Sequence, residues 1–205
     1  MLNLLNDNND NNESNQNKKN KCVFLDRDGV LNKDIGYLKS PDQLIILPGV
    51  IEALKKLKEA GFLLIIVTNQ SGIAKGFFYE DDLKKVHNTL LAIFKKNNIY
   101  IDDIFYCPHH KDGTIEPYNI SCDCRKPDTK MIKDGVNKYN IDLSKSYLVG
   151  DKDTDIQLAI NAGLKSFCVE NDMYEYNETI VPDYKVNNLS EAAEIITNLS
   201  FKNCR

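Results

Sequence analysis

Four short apolar runs, three of them halted abruptly by polar clusters, constrain this chain more than any other feature. Residues 21–25 (KCVFL) stop at Asp26, residues 62–67 (FLLIIV) at Thr68-Asn69-Gln70, and residues 146–149 (SYLV) at Gly150-Asp151; residues 165–169 form a weaker fourth run. Continuous apolar runs of this length suit strands buried on both faces. Helical periodicity lies between them. Pro48 is placed to open a helix with Val50, Ile51, Leu54 and Leu57 on one face, and Gly61 to end it. Leu83, Val86, Leu90, Ile93 and Phe94 mark a second helix, and Met131, Ile132, Val136 and Tyr139 a third. Asp153 or Thr154 can cap a fourth helix through Ile156, Ala159 and Ile160, and residues 191–199 read as a last one. Strands alternating with helices predict an α/β fold, a Rossmann-like parallel sheet with helices on both faces. Ligands bind such sheets at the carboxyl ends of the strands, where the three polar clusters would meet.

Composition narrows the function classes. The 205 residues carry 26 Lys and Arg against 30 Asp and Glu, a formal charge of −4. That balance argues against a chain whose main task is gripping a nucleic acid backbone. No apolar run approaches the ~20 residues of a membrane helix. The Asn-rich first 20 residues have neither the basic start nor the apolar stretch of a secretory signal. They read as a disordered leader before one domain at 21–200, and the chain as cytoplasmic. In a cytosolic setting the six cysteines read as metal ligands plus buried thiols rather than disulfides. Cys22 and Cys168 sit in apolar runs and are expected to be buried thiols; Cys204 lies near a loose end, and His87 is expected on the surface of its helix.

The chemistry-bearing residues cluster at the strand ends. In Asp26-Arg27-Asp28-Gly29, two carboxylates two residues apart can serve as nucleophile and general acid where their environments separate their pKa values. A hard, oxygen-ligated cation such as Mg²⁺ fits between charges so close. The same residues would also make an ordinary turn after a strand. Thr68-Asn69-Gln70-Ser71-Gly72 can cradle a phosphate oxygen, or cap a helix. Asp151 at its strand end can complete a metal site, whereas Asp153 and Asp155 suit a turn and a helix cap. Arg125-Lys126 before a helix offers phosphate a bidentate guanidinium and a point charge, or is a solvated basic turn.

The most specific spacing is Cys107-Pro108-His109, twelve residues, then Cys122-Asp123-Cys124. Three cysteines and a histidine make the closed set of a structural Zn²⁺ site, or else a set of free thiols or a disulfide. The Asp112-Gly113 turn signal lets the loop at 107–124 double back. His109 mirrors the one-residue gap of the second pair and is preferred over His110 as the ligand.

Together these residues resemble the haloacid dehalogenase superfamily of phosphohydrolases. Within it, the segments FLDRDGVLN, DIGYL, VTNQSGIAKG, CPHH…CDCRKP and GDKDTDI are similar to those of the D-glycero-D-manno-heptose 1,7-bisphosphate phosphatases, over about residues 22–170. The resemblance implies roles position by position. Asp26 would be the nucleophile, and Asp28 the acid and base. Thr68 and Lys126 would stabilise the phosphoryl group. Mg²⁺ would be held by Asp26, the carbonyl of Asp28, and Asp151. Asp34, Ile35, Gly36, Tyr37, Asn69, Gln70, Ser71, Arg125 and Lys152 would meet the sugar phosphate substrate. Cys107, His109, Cys122 and Cys124 would hold Zn²⁺. It also implies a monomer with little or no cap domain, and only about 40 residues separate the first two motifs. Val30 stands where many relatives carry Thr. Histidinol-phosphate phosphatases share the cysteine loop and CRKP, and polynucleotide 3′-phosphatases share DxDG, TNQ and RKP motifs. NQSGIAKG and DIGYL favour the heptose branch over the first. The acidic balance and the cysteine loop favour it over the second.

Overall fold

The computed structural model describes residues 19–171, 174 and 177–202. The expected leader falls outside them except for Lys19 and Asn20, as does Cys204. Asn20 already bridges to Ile141, so pairing starts one residue before the expected boundary.

Among the described residues, six parallel strands form one sheet in the order β3-β2-β1-β4-β5-β6. They are β1 (Cys22–Leu25), β2 (Leu63–Asn69), β3 (Asp103–Cys107), β4 (Tyr147–Gly150), β5 (Lys165–Val169) and β6 (Tyr184–Val186). The central position of β1 follows from its sequence, since all four of its side chains are buried. The two edge strands went unread in the sequence. β3 is only half buried along most of its length and β6 has three residues, so neither shows a sustained apolar run.

The helices are α1 (Val50–Glu59), α2 (Glu80–Lys96), α3 (Lys130–Tyr139), α4 (Asp153–Ala162) and α5 (Leu189–Lys202). Strand side chains alternate between two cores. Val23, Leu25, Leu64 and Ile66 meet Leu54 and Leu57 of α1, Leu90 and Phe94 of α2, and Ala192 and Ile196 of α5. On the opposite face Phe24, Ile65, Val67 and Leu148 meet Met131 and Ile132 of α3 and Leu158 and Ala159 of α4.

Three local expectations shift. Pro48 lies one residue before the N-cap of α1, which is Gly49 in a left-handed conformation. The N-cap of α4 is Lys152 rather than Asp153 or Thr154, and its N–H donates to the Asp155 carboxylate. Ile160 is half exposed, because α4 buries Leu158 instead. Cys22 and Cys168 are buried, as expected.

Candidate active site

β1, β2 and β4 deliver their polar ends to one place. β1 continues past Leu25 through the Asp26 N–H, which donates to the Val149 carbonyl. The chain then turns at Gly29, whose φ of 85° favours glycine. A Cβ at Gly29 would stand 2.1 Å from Asp151 Oδ2, so only glycine lets the two loops approach. β2 runs two residues further than its apolar run, keeping Thr68 and Asn69 in strand geometry.

Asp26, Lys126, Asp151 and Asp155 form the base of the site, each at most 4% exposed. Lys126 Nζ lies 2.8 Å from Asp26 Oδ1 and 2.6 Å from Asp155 Oδ1, and donates to the Val67 carbonyl at 3.1 Å. The backbone around Lys126 is fixed by Asn69, whose Oδ1 accepts from the Lys126 N–H and whose Nδ2 donates to its carbonyl. Burial works against the Lys126 ammonium, but Asp155 and Asp26 outweigh it and push its pKa up to about 12. Burial raises the Asp26 carboxyl to about 6 against the pull of Lys126. Burial, with Asp26 next to it, raises Asp151 to about 7.

Oxygens of Asp26, Asp151 and Asp155 all lie within 4.8 Å of one another. Three buried carboxylates in so small a space exceed the charge that Lys126 balances. The bare Gly29 lets the Asp151 carboxylate lie against the turn after β1, within reach of Asp26. A hard divalent cation with oxygen ligands fits this donor set.

Asp28 sits at the rim with both oxygens engaged. Arg27 Nη2 reaches them at 2.7 and 3.0 Å, Asn32 Nδ2 donates at 2.9 Å, and Gln70 Nε2 at 3.1 Å. Burial acts to raise its pKa, but Arg27 and the hydrogen bonds hold it below the usual carboxylate range.

Above this base opens a cavity of about 350 Å³. Asp26, Asp28, Thr68, Asn69, Ser71, Arg125, Lys126 and Lys152 line it together with Asp34, Gly36 and Tyr37 from the loop after β1. Lys152 Nζ pairs with Asp34 at 2.8 Å, tying that loop to the start of α4. Two of the expected substrate contacts are placed differently. Ile35 is 40% exposed and is not among the lining residues, and Gln70 is turned inward, donating to Asp28 and Thr68.

Four residues of the site had no role assigned from sequence. Asp155, read as a cap, is a fully buried partner of Lys126; its signal was its place one helical turn after Asp151. Thr154 and Tyr174 line the cavity. Arg27 is fully buried behind Asp28. The expectation for His87 is overturned: it is 7% exposed, with its ring 3.0 Å from Arg27 Nη1. A single histidine among apolar helix positions gave no hint of that partner, 60 residues away.

The loop beside the cavity gathers Cys107, His109, Cys122 and Cys124. Cys124 Sγ lies 3.0 Å from Cys107 Sγ, 3.3 Å from Cys122 Sγ and 3.3 Å from His109 Nδ1. None of the three cysteines is in a disulfide. Four soft and borderline donors converging at such distances suit a tetrahedral metal. His110 is not part of the group; its Nδ1 accepts from the Asp112 N–H.

Residues 123–192 match the HAD-hydrolase-like family. The chain is 43% identical over 145 residues to the D-glycero-β-D-manno-heptose-1,7-bisphosphate 7-phosphatase of Haemophilus influenzae, which spans 71% of this chain and 78% of that protein. It is 42% identical over 142 residues to the Escherichia coli K12 protein of that name, covering 69% and 74% of the two. A crystal structure of D,D-heptose 1,7-bisphosphate phosphatase from B. bronchiseptica, complexed with magnesium and phosphate, superposes with a TM-score of 0.75 at 33% identity, over 87% of this chain and 99% of that one. With its carboxylate cluster at the ends of β1 and β4 in a parallel sheet of this topology, the chain belongs to the haloacid-dehalogenase-like hydrolases, in the family of the heptose-1,7-bisphosphate 7-phosphatases.

Proposed function

We propose that the protein is a Mg²⁺-dependent phosphatase that removes the 7-phosphate of D-glycero-D-manno-heptose 1,7-bisphosphate. The observation that carries this reading is the buried Asp26–Lys126–Asp155 group beside Asp151, at the base of a cavity lined by Thr68 and Arg125. Phosphoryl transfer needs positioning and charge stabilisation more than covalent machinery, and this set supplies both.

In the proposed reaction Asp26 attacks phosphorus. Its Oδ1 is held by the Arg27 N–H at 2.8 Å and by Lys126, which fixes the carboxylate for in-line approach. As the new O–P bond forms, the bond from phosphorus to the sugar oxygen breaks. Asp28, ionised in the free site, takes up a proton as the phosphate anion binds beside it and gives that proton to the departing oxygen. Asp28 then takes a proton from the water that attacks the aspartyl-phosphate, and Asp26 is regenerated as inorganic phosphate leaves. Lys126 and the Thr68 hydroxyl bind the phosphoryl oxygens throughout. Arg125, Lys152, Asp34 and Tyr37 contact the rest of the substrate.

Asp26, Asp151 and the Asp28 carbonyl would hold Mg²⁺, with Asp155 at the edge of the group. When bound, the ion supplies positive charge to the phosphoryl oxygens and lets Asp26 stay ionised. The Cys107, His109, Cys122 and Cys124 group would hold a structural Zn²⁺, fixing the loop that leads into Arg125 and Lys126. Three cysteines gathered with a histidine as metal donors suit a reducing, cytoplasmic setting.

The test is phosphate release from both anomers of heptose 1,7-bisphosphate, histidinol phosphate and a 3′-phosphorylated oligonucleotide, each with Mg²⁺ and with EDTA. Mg²⁺-dependent preference for one heptose anomer is the expected result. Preference for histidinol phosphate or the oligonucleotide would overturn the substrate assignment. Turnover undiminished in EDTA would overturn the metal.

A further inference from the structure

Arg27 is the largest fully buried side chain among the described residues, and in sequence it stands between the two carboxylates assigned to chemistry. A guanidinium has five N–H donors and no acceptor, so each donor enclosed without a partner is costly. Nε and Nη2 of Arg27 are taken by Asp28. Nη1 faces His87 Nε2 at 3.0 Å. Because arginine can only donate, His87 Nε2 is the acceptor, and the ring proton sits on Nδ1. Burial and the adjacent guanidinium push His87 down to about 3, which keeps the acceptor lone pair available. Of the groups around the ring, Arg27 is the cation and Asp28 the anion, and Tyr106 of β3 packs edge-on at 5.9 Å.

His87 is delivered by a rigid element. It lies on the inward side of α2, between the fully buried Leu83 and Leu90. The helix therefore places one fixed acceptor behind the guanidinium, and the guanidinium in turn sets the plane of the Asp28 carboxylate. Asn32 and Gln70 bond single Asp28 oxygens, whereas the Arg27 fork spans both.

We propose that His87 is a positioning residue, whose Nε2 lone pair locks Arg27 and through it the orientation in which Asp28 hands its proton to the leaving oxygen. The inference rests on the acid role of Asp28 proposed above. Without the acceptor, one guanidinium N–H is left buried and unpaired, the fork is free to turn, and Asp28 loses its aim. Binding of the phosphoryl group, which belongs to Lys126 and Thr68, is untouched.

The test compares His87→Leu, His87→Gln and Asp28→Asn on heptose 1,7-bisphosphate and on p-nitrophenyl phosphate, whose phenolate departs without a proton. His87→Leu should lower kcat on the bisphosphate by about tenfold or more, with KM within about twofold of wild type. Its loss on the aryl phosphate should be smaller. His87→Gln, whose amide oxygen can accept from Arg27, should recover most of the rate. Because Asp28 also serves as the base for the hydrolytic water, a step both substrates share, the comparison is made on leaving-group release within a single turnover; equal losses of that rate on both substrates, or no recovery with Gln, would overturn the proposal. Asp28→Asn separates the two readings. If it lacks the same substrate selectivity, the acid role of Asp28 falls; if it has that selectivity and His87→Leu does not, only the role of His87 falls. A measurement on the wild-type protein guards against misfolded variants. Nitrogen-15 spectra should show His87, one of three histidines, with its proton on Nδ1, and a proton on Nε2 would sink the idea.

Discussion

Lys126 decides the balance of charge at the heart of the site. It is almost fully buried and its ammonium holds Asp26 and Asp155 at once. Removing one partner of such a group leaves uncompensated buried charge, a loss of about 3–5 kcal/mol. Lys126→Met in metal-free protein should therefore lower stability by about that amount at pH 7.5, read from urea unfolding. The cost should shrink at pH 5, where Asp26, already raised to about 6, takes up a proton instead. An equal cost at both pH values would mean that lost packing, not charge, sets the penalty. Asp26→Asn asks the opposite question of the same pair. The amide keeps the shape and leaves Lys126 its bond to Asp155. We expect melting within a few degrees of wild type and turnover reduced by about three orders of magnitude or more. Retained turnover would remove Asp26 from the nucleophile's role. At this scale the sequence was legible wherever a carboxylate or lysine ended an apolar run, as at Asp26 and Asp151. Asp155 and His87 were not legible, because what defines them is burial against residues 29 and 60 positions away.

Among the elements, the loop at 107–124 is the one whose shape owes least to the sheet. It leaves β3 at Cys107 and returns at Cys124, directly before Arg125 and Lys126. Its donors were legible from spacing alone, and so was the preference for His109 over His110. The strand that launches it was not. Asp103-Ile104-Phe105-Tyr106 is an edge strand with half-buried side chains, and its Asp103 accepts from Tyr139 and Lys138 rather than hiding in a core. The loop is held by few buried apolar contacts, so a bound metal should dominate its order. One Zn²⁺ per chain should be found by elemental analysis of protein purified without added metal. Cys122→Ser should lower that content and raise KM several-fold through a freed Arg125. Far-UV circular dichroism should stay near wild type, because residues 108–123 contribute no strand or helix. Wild-type KM in a zinc-free variant would separate the loop from the site.

Across the whole molecule, proton and metal binding are coupled to folding through the same carboxyls. Asp26 at about 6 and Asp151 at about 7 hold protons in the folded chain that they release at a lower pH when unfolded. Between about pH 4 and 7 the folded state therefore binds the extra protons, and the contribution of these two groups to stability falls as pH rises. His87 acts in the other direction. Its folded value of about 3 lies below the ordinary imidazole range, so it costs stability as pH falls through about 6.5. The melting temperature of metal-free protein is thus a sum of opposed slopes and identifies neither. The increment produced by Mg²⁺ is cleaner, because His87 contributes equally with and without the ion. Mg²⁺ must displace protons from Asp26 and Asp151, so its affinity and its stabilisation grow with pH. At about 10 mM Mg²⁺ the rise in Tm over an EDTA control should be clearly larger at pH 7.5 than at pH 5.5. Ca²⁺ should stabilise with the same pH trend, since it competes for the same oxygens, whereas K⁺ at matched ionic strength should not. Asp151→Asn should flatten the Mg²⁺ increment at both pH values, because it removes a ligand and one of the two displaced protons. A Mg²⁺ increment independent of pH in the wild-type protein would show that the ion binds away from these carboxyls, and would overturn their assignment as its ligands.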